Sequence, residues 1–177
     1  MKLVLVNALT LSRVPLSLMF CAAALSGAHP LLPCGILFAL VAASDYLDGK
    51  LSRKYRVQTG AGAVLDVTAD FFFIVTACAA LSLRGPFPGW MIAVVVYKFV
   101  EFWISSALMK RKDANMFFFD PLGRAAAALF YLLPMLALLL QSVLCAAACQ
   151  TALQIFCAAV TALAIASSFF RIASLTR

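Results

Sequence analysis

Six long apolar runs dominate this chain, and they leave room for little except a membrane fold. They cover roughly residues 13–27, 31–47, 62–83, 88–109, 123–143 and 147–170. A helix needs about 20 apolar residues to cross the hydrocarbon of a bilayer. One soluble core could not hide this much apolar side chain, because most residues of a domain this small touch its surface. The whole chain has 177 residues, 65% of them hydrophobic and 12% charged, where a soluble domain runs nearer half apolar and a quarter charged. The expectation is an all-α integral membrane bundle of six transmembrane helices, forming one domain over residues 1–177. Residues 1–12 are expected to form a short N-terminal amphipathic helix lying at the interface. Asn7, Thr10, Ser12 and Arg13 interrupt the apolar character before an adequate signal-peptide core forms, so this segment is expected to stay in the mature protein.

The formal net charge is +7, from 14 basic and 7 acidic residues. On a soluble protein this balance would suggest nucleic acid; here its distribution suggests orientation, and no nucleic-acid partner is expected. Lys50, Arg53, Lys54 and Arg56 follow the second run. Lys110, Arg111, Lys112 and then Arg124 follow the fourth. Lys2 and Arg13 mark the N-terminus, and Arg171 and Arg177 the C-terminus. The alternate loops hold only Arg84. That alternation is the positive-inside pattern, and it places both termini and the two basic loops in the cytoplasm. The six cysteines form no CxxC and sit in Ala/Leu-rich runs, so they read as small apolar fillers.

The acids carry the chemical message. There are seven, and Asp45, Asp48, Asp66 and Asp70 fall within 26 residues at the cytoplasmic ends of the second and third runs. On helices, Asp45 and Asp48 share a face as i,i+3 neighbours, and Asp66 and Asp70 as i,i+4 neighbours. The basic segment between them folds the chain back, so the two pairs can converge. Four carboxylates gathered at the edge of a membrane repel one another, and charge placed there usually marks function. A divalent cation relieves the repulsion. A set of hard oxygens without His or Cys suits Mg²⁺, Mn²⁺ or Ca²⁺, and two ions bridged by carboxylates suit phosphoryl transfer. Gly49, Gly60 and Gly62 allow close backbone approach to a ligand, and the start of the third helix offers free N–H groups to an anion. The competing reading is a solvated loop whose basic residues only orient the protein. It accounts for Lys50 to Arg56 but not for Asp66 and Asp70, which run straight into Phe71-Phe72-Phe73-Ile74-Val75.

The spacing Asp45-x2-Asp48-Gly49-x2-Ser52-Arg53-x8-Gly62-x3-Asp66-x3-Asp70 resembles the signature of the CDP-alcohol phosphotransferase family, D-x2-D-G-x2-A-R-x8-G-x3-D-x3-D, with Ser52 in place of alanine. Asn7-Ala8-Leu9-Thr10-Leu11-Ser12-Arg13 is similar to the family's N-terminal N-x-L-T-x-x-R segment. The resemblance implies a membrane transferase that moves a phosphatidyl or similar phosphoalcohol group from a CDP-activated lipid, such as CDP-diacylglycerol, to a polar alcohol and releases CMP. It implies that Asp45, Asp48, Asp66 and Asp70 ligate a pair of divalent ions, Mg²⁺ or Mn²⁺, and that Asp70 is also the general base. It assigns Asp45, Asp48, Gly49, Ser52, Arg53, Gly62 and Asp66 to the nucleotide and diphosphate. It further implies a homodimer in the cell membrane, the inner membrane if the source is bacterial, with the active site open to the cytoplasm.

The acceptor is less sharply written. Lys98-Phe99-Val100-Glu101-Phe102-Trp103-Ile104-Ser105 is similar to the R-E-x-x-I-S segment of phosphatidylglycerophosphate synthases, with Val100 at the arginine position. Their L-D-P-x-A-D-K and G-K-x-K-T segments correspond to Leu65-Asp66-Val67-Thr68-Ala69-Asp70-Phe71 and Gly123-Arg124-Ala125-Ala126-Ala127, where several hallmark residues are replaced. Glycerol 3-phosphate is the first expectation; inositol or inositol phosphate is the alternative. Arg124 and Arg111 are the candidates for an acceptor phosphate. Lys98 and Glu101 are expected to neutralise each other as an i,i+3 pair. The non-enzyme rival is a divalent-cation transporter or binding protein, whose acids belong near the bilayer midplane at broken helices.

Overall fold

The computed structural model describes the backbone of residues 2–26, 29–55, 60–112 and 121–175, with side chains described at 8–26, 29–52, 54–55, 62, 64–105 and 122–172. Six helices account for nearly all of it: α1 (Lys2–Ser26), α2 (Leu31–Tyr55), α3 (Gly60–Arg84), α4 (Trp90–Lys112), α5 (Pro121–Val143) and α6 (Ala146–Leu175).

Two boundaries differ from the sequence expectation. Residues 2–12 do not form a separate interfacial helix; they are the first turns of α1. This stretch of Leu, Val and Ala has no glycine or proline to end it. Pro15 lies further along α1 and removes a donor from its ladder, and the hydroxyl of Ser17 donates to the Arg13 carbonyl nearby at 2.6 Å. Likewise α2 does not stop at residue 47 but runs on through Lys50 and Lys54. The basic segment is therefore helical surface for most of its length, and Lys50 sits over the Tyr46 ring one turn back, 5.8 Å from its centroid.

Five helices contain a stretch long and apolar enough to cross a membrane: Ala8–Ser26, Leu31–Ser52, Val64–Arg84, Leu122–Val143 and Ala146–Ile172. The sixth, α4, carries Lys98 and Glu101 along its length. The outside of the bundle is apolar, with Leu32, Leu83, Val143 and Phe169 all strongly exposed. A soluble surface would gather such patches only at an interface, whereas lipid accepts them everywhere.

Helix α1 packs along α2 and α3, and α5 along α6. Helix α3 also meets α4 and α5, α2 meets α5, and α4 meets α6, so α3 is the hub. Phe20, Val41, Phe73, Leu81, Met91, Leu133, Leu138 and Leu153 fill the core. Small residues such as Ala77, Cys78, Ala137, Cys157 and Ala164 lie buried among them, which lets helix backbones close up where no hydrophobic effect drives association. All six cysteines are free.

Charged groups close the remaining seams. At one end, Arg84 of α3 donates to the Ala24 carbonyl in the last turn of α1 at 2.6 Å. Between α4 and α6, the Lys98 ammonium lies 2.7 Å from Glu101 Oε2 and donates to Ser167 and Ser168 at 3.0 Å each. The expected neutral pair is thus also a bridge to a second helix, and Arg171 one turn further along α6 lies over the Phe102 ring.

Candidate functional site

The acids gather at the end of the bundle where α1 begins, α2 ends and α3 begins. Asp45 and Asp48 sit within two turns of the end of the α2 span, and Asp66 and Asp70 within two turns of the start of the α3 span. The helical faces bring all four together as their i,i+3 and i,i+4 spacing demands.

What they converge on is Arg13 of α1, whose side chain is completely buried. Its Nη1 lies 2.7 Å from Asp66 Oδ1 and 2.8 Å from Asp70 Oδ1. Its Nη2 lies 3.0 Å from Asp45 Oδ1 and 3.4 Å from Asp48 Oδ2. A planar guanidinium with several fixed donors can serve carboxylates on two helices at once, which a lysine ammonium cannot do in the same plane. Thr10, one turn before Arg13, donates its hydroxyl to Asp48 Oδ2. Asp48 is therefore the buried member of the set, 7% exposed, while Asp45, Asp66 and Asp70 stay partly open at 45%, 41% and 30%.

Among the described residues, one guanidinium faces four carboxylates, which leaves three formal negative charges in a small volume. The oxygens of Asp45, Asp66 and Asp70 lie within 4.8 Å of one another and could share a metal ion. An octahedral Mg²⁺ with bonds near 2.1 Å holds its oxygens about 3–4 Å apart, so little closure is needed. Asp66 Oδ1 is buried and, although near Arg13, is not aligned for a hydrogen bond. The excess of carboxylates over cations and the hard oxygen donors both fit a divalent cation.

The other expected site residues fall into place unequally. Gly49 and Ser52 occupy the next turn of α2, where the Ser52 hydroxyl donates to the Gly49 carbonyl at 3.3 Å. Gly62 lies in the first turn of α3. Arg124 is exposed near the start of α5. The side chains of Arg53 and Arg111 lie outside the described residues. In the sequence, Thr10 and Arg13 read as part of an N-terminal motif, as polar breaks in an apolar run and, for Arg13, as an orienting charge, and not as part of the site. The available signal was a lone arginine inside an otherwise apolar helix, which lipid tolerates only when it is paired.

These features define a class: an integral membrane protein whose lipid-facing bundle holds an acidic, metal-compatible site near one surface. The chain belongs to the CDP-alcohol phosphatidyltransferase family, which it matches over residues 3–172. Among curated proteins it is similar to a cardiolipin synthase (CMP-forming) of Streptomyces coelicolor, at 31% identity over 58% of this chain and 48% of that protein. It is also similar to a probable phosphatidylglycerophosphate synthase of Mycobacterium tuberculosis, at 35% identity over 34% of this chain and 29% of the relative. A CDP-diacylglycerol–glycerol-3-phosphate 3-phosphatidyltransferase of Sodalis glossinidius is 34% identical over 34% of this chain and 32% of its own length. The matched stretches thus span about half or less of each of these relatives.

Proposed function

We propose that this protein transfers a phosphatidyl group from a CDP-activated lipid to a polar alcohol, with release of CMP. The observation that carries the reading is the convergence of Asp45, Asp48, Asp66 and Asp70 from two helices at a membrane-embedded site within reach of one surface. Asp45, Asp66 and Asp70 would hold the divalent ions, with Asp48 completing the set from its bonds to Thr10 and Arg13. Bound there, a pair of Mg²⁺ or Mn²⁺ ions would neutralise the diphosphate and make CMP a better leaving group.

The chain's own residues do the rest. Asp70 accepts the hydroxyl proton of the alcohol at its carboxylate. The alcohol oxygen bonds to the lipid-linked phosphorus as the bond from that phosphorus to the bridging oxygen breaks. The electron pair leaves on CMP. Gly49, Ser52 and Gly62 leave room for the nucleotide and diphosphate, and Arg53 supplies a cation to them. Arg13 fixes the orientation of the acids. Lys50 and Lys54 lie at the same end of the bundle as the acids, so the positive-inside pattern turns the site toward the cytoplasm, with α4 as a sixth span and both termini on that side.

Glycerol 3-phosphate is the acceptor we favour, because it is the acceptor named for the Sodalis relative and Arg124 and Arg111 offer cations for its phosphate. Inositol or inositol phosphate is the second reading, favoured by Val67, Phe71, Val100 and Ala126 where phosphatidylglycerophosphate synthases carry other residues. The homodimer is part of the same proposal. The test is CMP release by purified protein in liposomes with CDP-diacylglycerol and Mg²⁺ or Mn²⁺. Glycerol 3-phosphate, inositol, inositol phosphate, serine and phosphatidylglycerol are supplied singly. Release with one acceptor supports the transferase and names its substrate; silence with all five in folded protein overturns it.

A further inference from the structure

Beneath the acids lies a layer of four rings from four helices. Tyr131 of α5 packs between Phe38 of α2, with centroids 5.4 Å apart, and Phe73 of α3, at 5.5 Å. Phe73 in turn meets Phe38 at 6.0 Å and, edge-on, Phe20 of α1 at 5.4 Å. The depth of this layer follows from helix geometry. Phe73 is three residues beyond Asp70, Phe20 seven beyond Arg13, and Phe38 seven before Asp45. At 1.5 Å per residue these offsets put the rings about 5–10 Å from the acids along the bundle, on the side away from the ends of the spans.

Three of the four are phenylalanine. The fourth carries a hydroxyl whose oxygen is out of solvent contact and has no hydrogen-bond partner among the described residues. A buried tyrosine hydroxyl normally finds a partner, and phenylalanine would fill the same space at no desolvation cost. The phenol also lies within electrostatic reach of Asp70, Asp45, Asp66 and Arg13. Among these four rings the Tyr131 hydroxyl is the one hydrogen-bond donor, and it lies in the layer next below the acids.

We propose that Tyr131 is a donor-binding residue, its hydroxyl donating a hydrogen bond to an oxygen of the lipid-linked phosphate of the CDP-activated donor. This rests on the transferase reading above. If the acids hold the diphosphate through metal, the acyl part of the donor has to run from them into the membrane past the aromatic layer. The phosphate on the lipid side is then the charged group nearest the phenol. The rings suit the apolar remainder.

The test is Tyr131→Phe in the full chain, which keeps the ring between Phe38 and Phe73. The expected result is a KM for CDP-diacylglycerol about ten- to a hundredfold higher, the range for losing a hydrogen bond to a charged group, with the acceptor KM and the melting temperature unchanged. Donor binding is read separately from the rise in melting temperature on adding CDP-diacylglycerol, and that rise should shrink in the variant. An unchanged donor KM overturns the proposal. So does a variant that melts lower, since the hydroxyl is then structural. If wild-type protein releases no CMP yet is stabilised by CDP-diacylglycerol, the transferase reading fails, while the melting shift still decides the fate of Tyr131.

Discussion

Replacing Arg13 by methionine removes the positive charge on which four carboxylates converge while roughly keeping the length of the side chain. The structure sets the scale. Asp48, nearly buried, loses one of its two partners, and Asp70 loses its hydrogen-bonded one. Asp45 is half open, so water screens it and it contributes at most about 1 kcal/mol; Asp66 is partly open, but the oxygen that meets Arg13 is buried. Breaking a buried ion pair from one side costs about 3–5 kcal/mol. At roughly 2–4 °C per kcal/mol for a chain of this size, the melting temperature should fall by roughly 6–20 °C. Arg13→Lys keeps the charge but loses the planar fork and should fall between the two. The buried thiols of Cys34, Cys78, Cys149 and Cys157 provide the readout, since a thiol-reactive dye reaches them only on unfolding. Mn²⁺ should raise the melting temperature of Arg13→Met more than that of the wild type, because the acids have lost their internal counter-charge. A variant that melts within about 2 °C of wild type would refute the idea that Arg13 holds the acids together.

Asp70→Asn should lower CMP release by at least about a thousandfold, through loss of the base and of a metal ligand, while CDP-diacylglycerol still raises the melting temperature; full turnover removes Asp70 as the base. A chelator should stop CMP release and Mg²⁺ or Mn²⁺ should restore it; undiminished release in the chelator removes the metal from the mechanism. Lys98→Met strands Glu101 in the α4/α6 seam and should destabilise by about 3–5 kcal/mol, with most of it recovered in the double variant Lys98→Met/Glu101→Gln. Equal melting of the single and double variants would show that the pair is not coupled.

The acids were legible because they are few and their spacing is short-range. Intervals of three and four residues fix a helical face whatever the rest of the chain does. Six helices were legible from six apolar runs for the same reason. Their ends were less so: whether a helix stops at residue 47 or runs on to Tyr55 depends on where Asp48, Gly49 and Ser52 must stand relative to α1 and α3, and hydropathy carries no trace of that. Arg13 escaped the site assignment because its partners lie 32 to 57 residues away in sequence, a separation no periodicity reports. Tyr131 escaped because a tyrosine in an apolar run looks like any other packing residue until its neighbours are known to be Phe38 and Phe73.

The pairing of Arg13 with acids on α2 and α3 has a consequence for how the protein is made. Arg13 emerges from the ribosome first, and the last of its partners, Asp70, is 57 residues behind it. At about 5–20 residues per second, that is an interval of roughly 3–11 s in which α1 has its arginine and no complete set of counter-charges. During that time the Arg13 head, close to the start of the span, has to reach for water at the membrane surface or pair with Asp45 and Asp48 alone. The burial of Arg13 is complete only once α3 is in place, so that the event that buries the arginine is the same event that builds the acidic site.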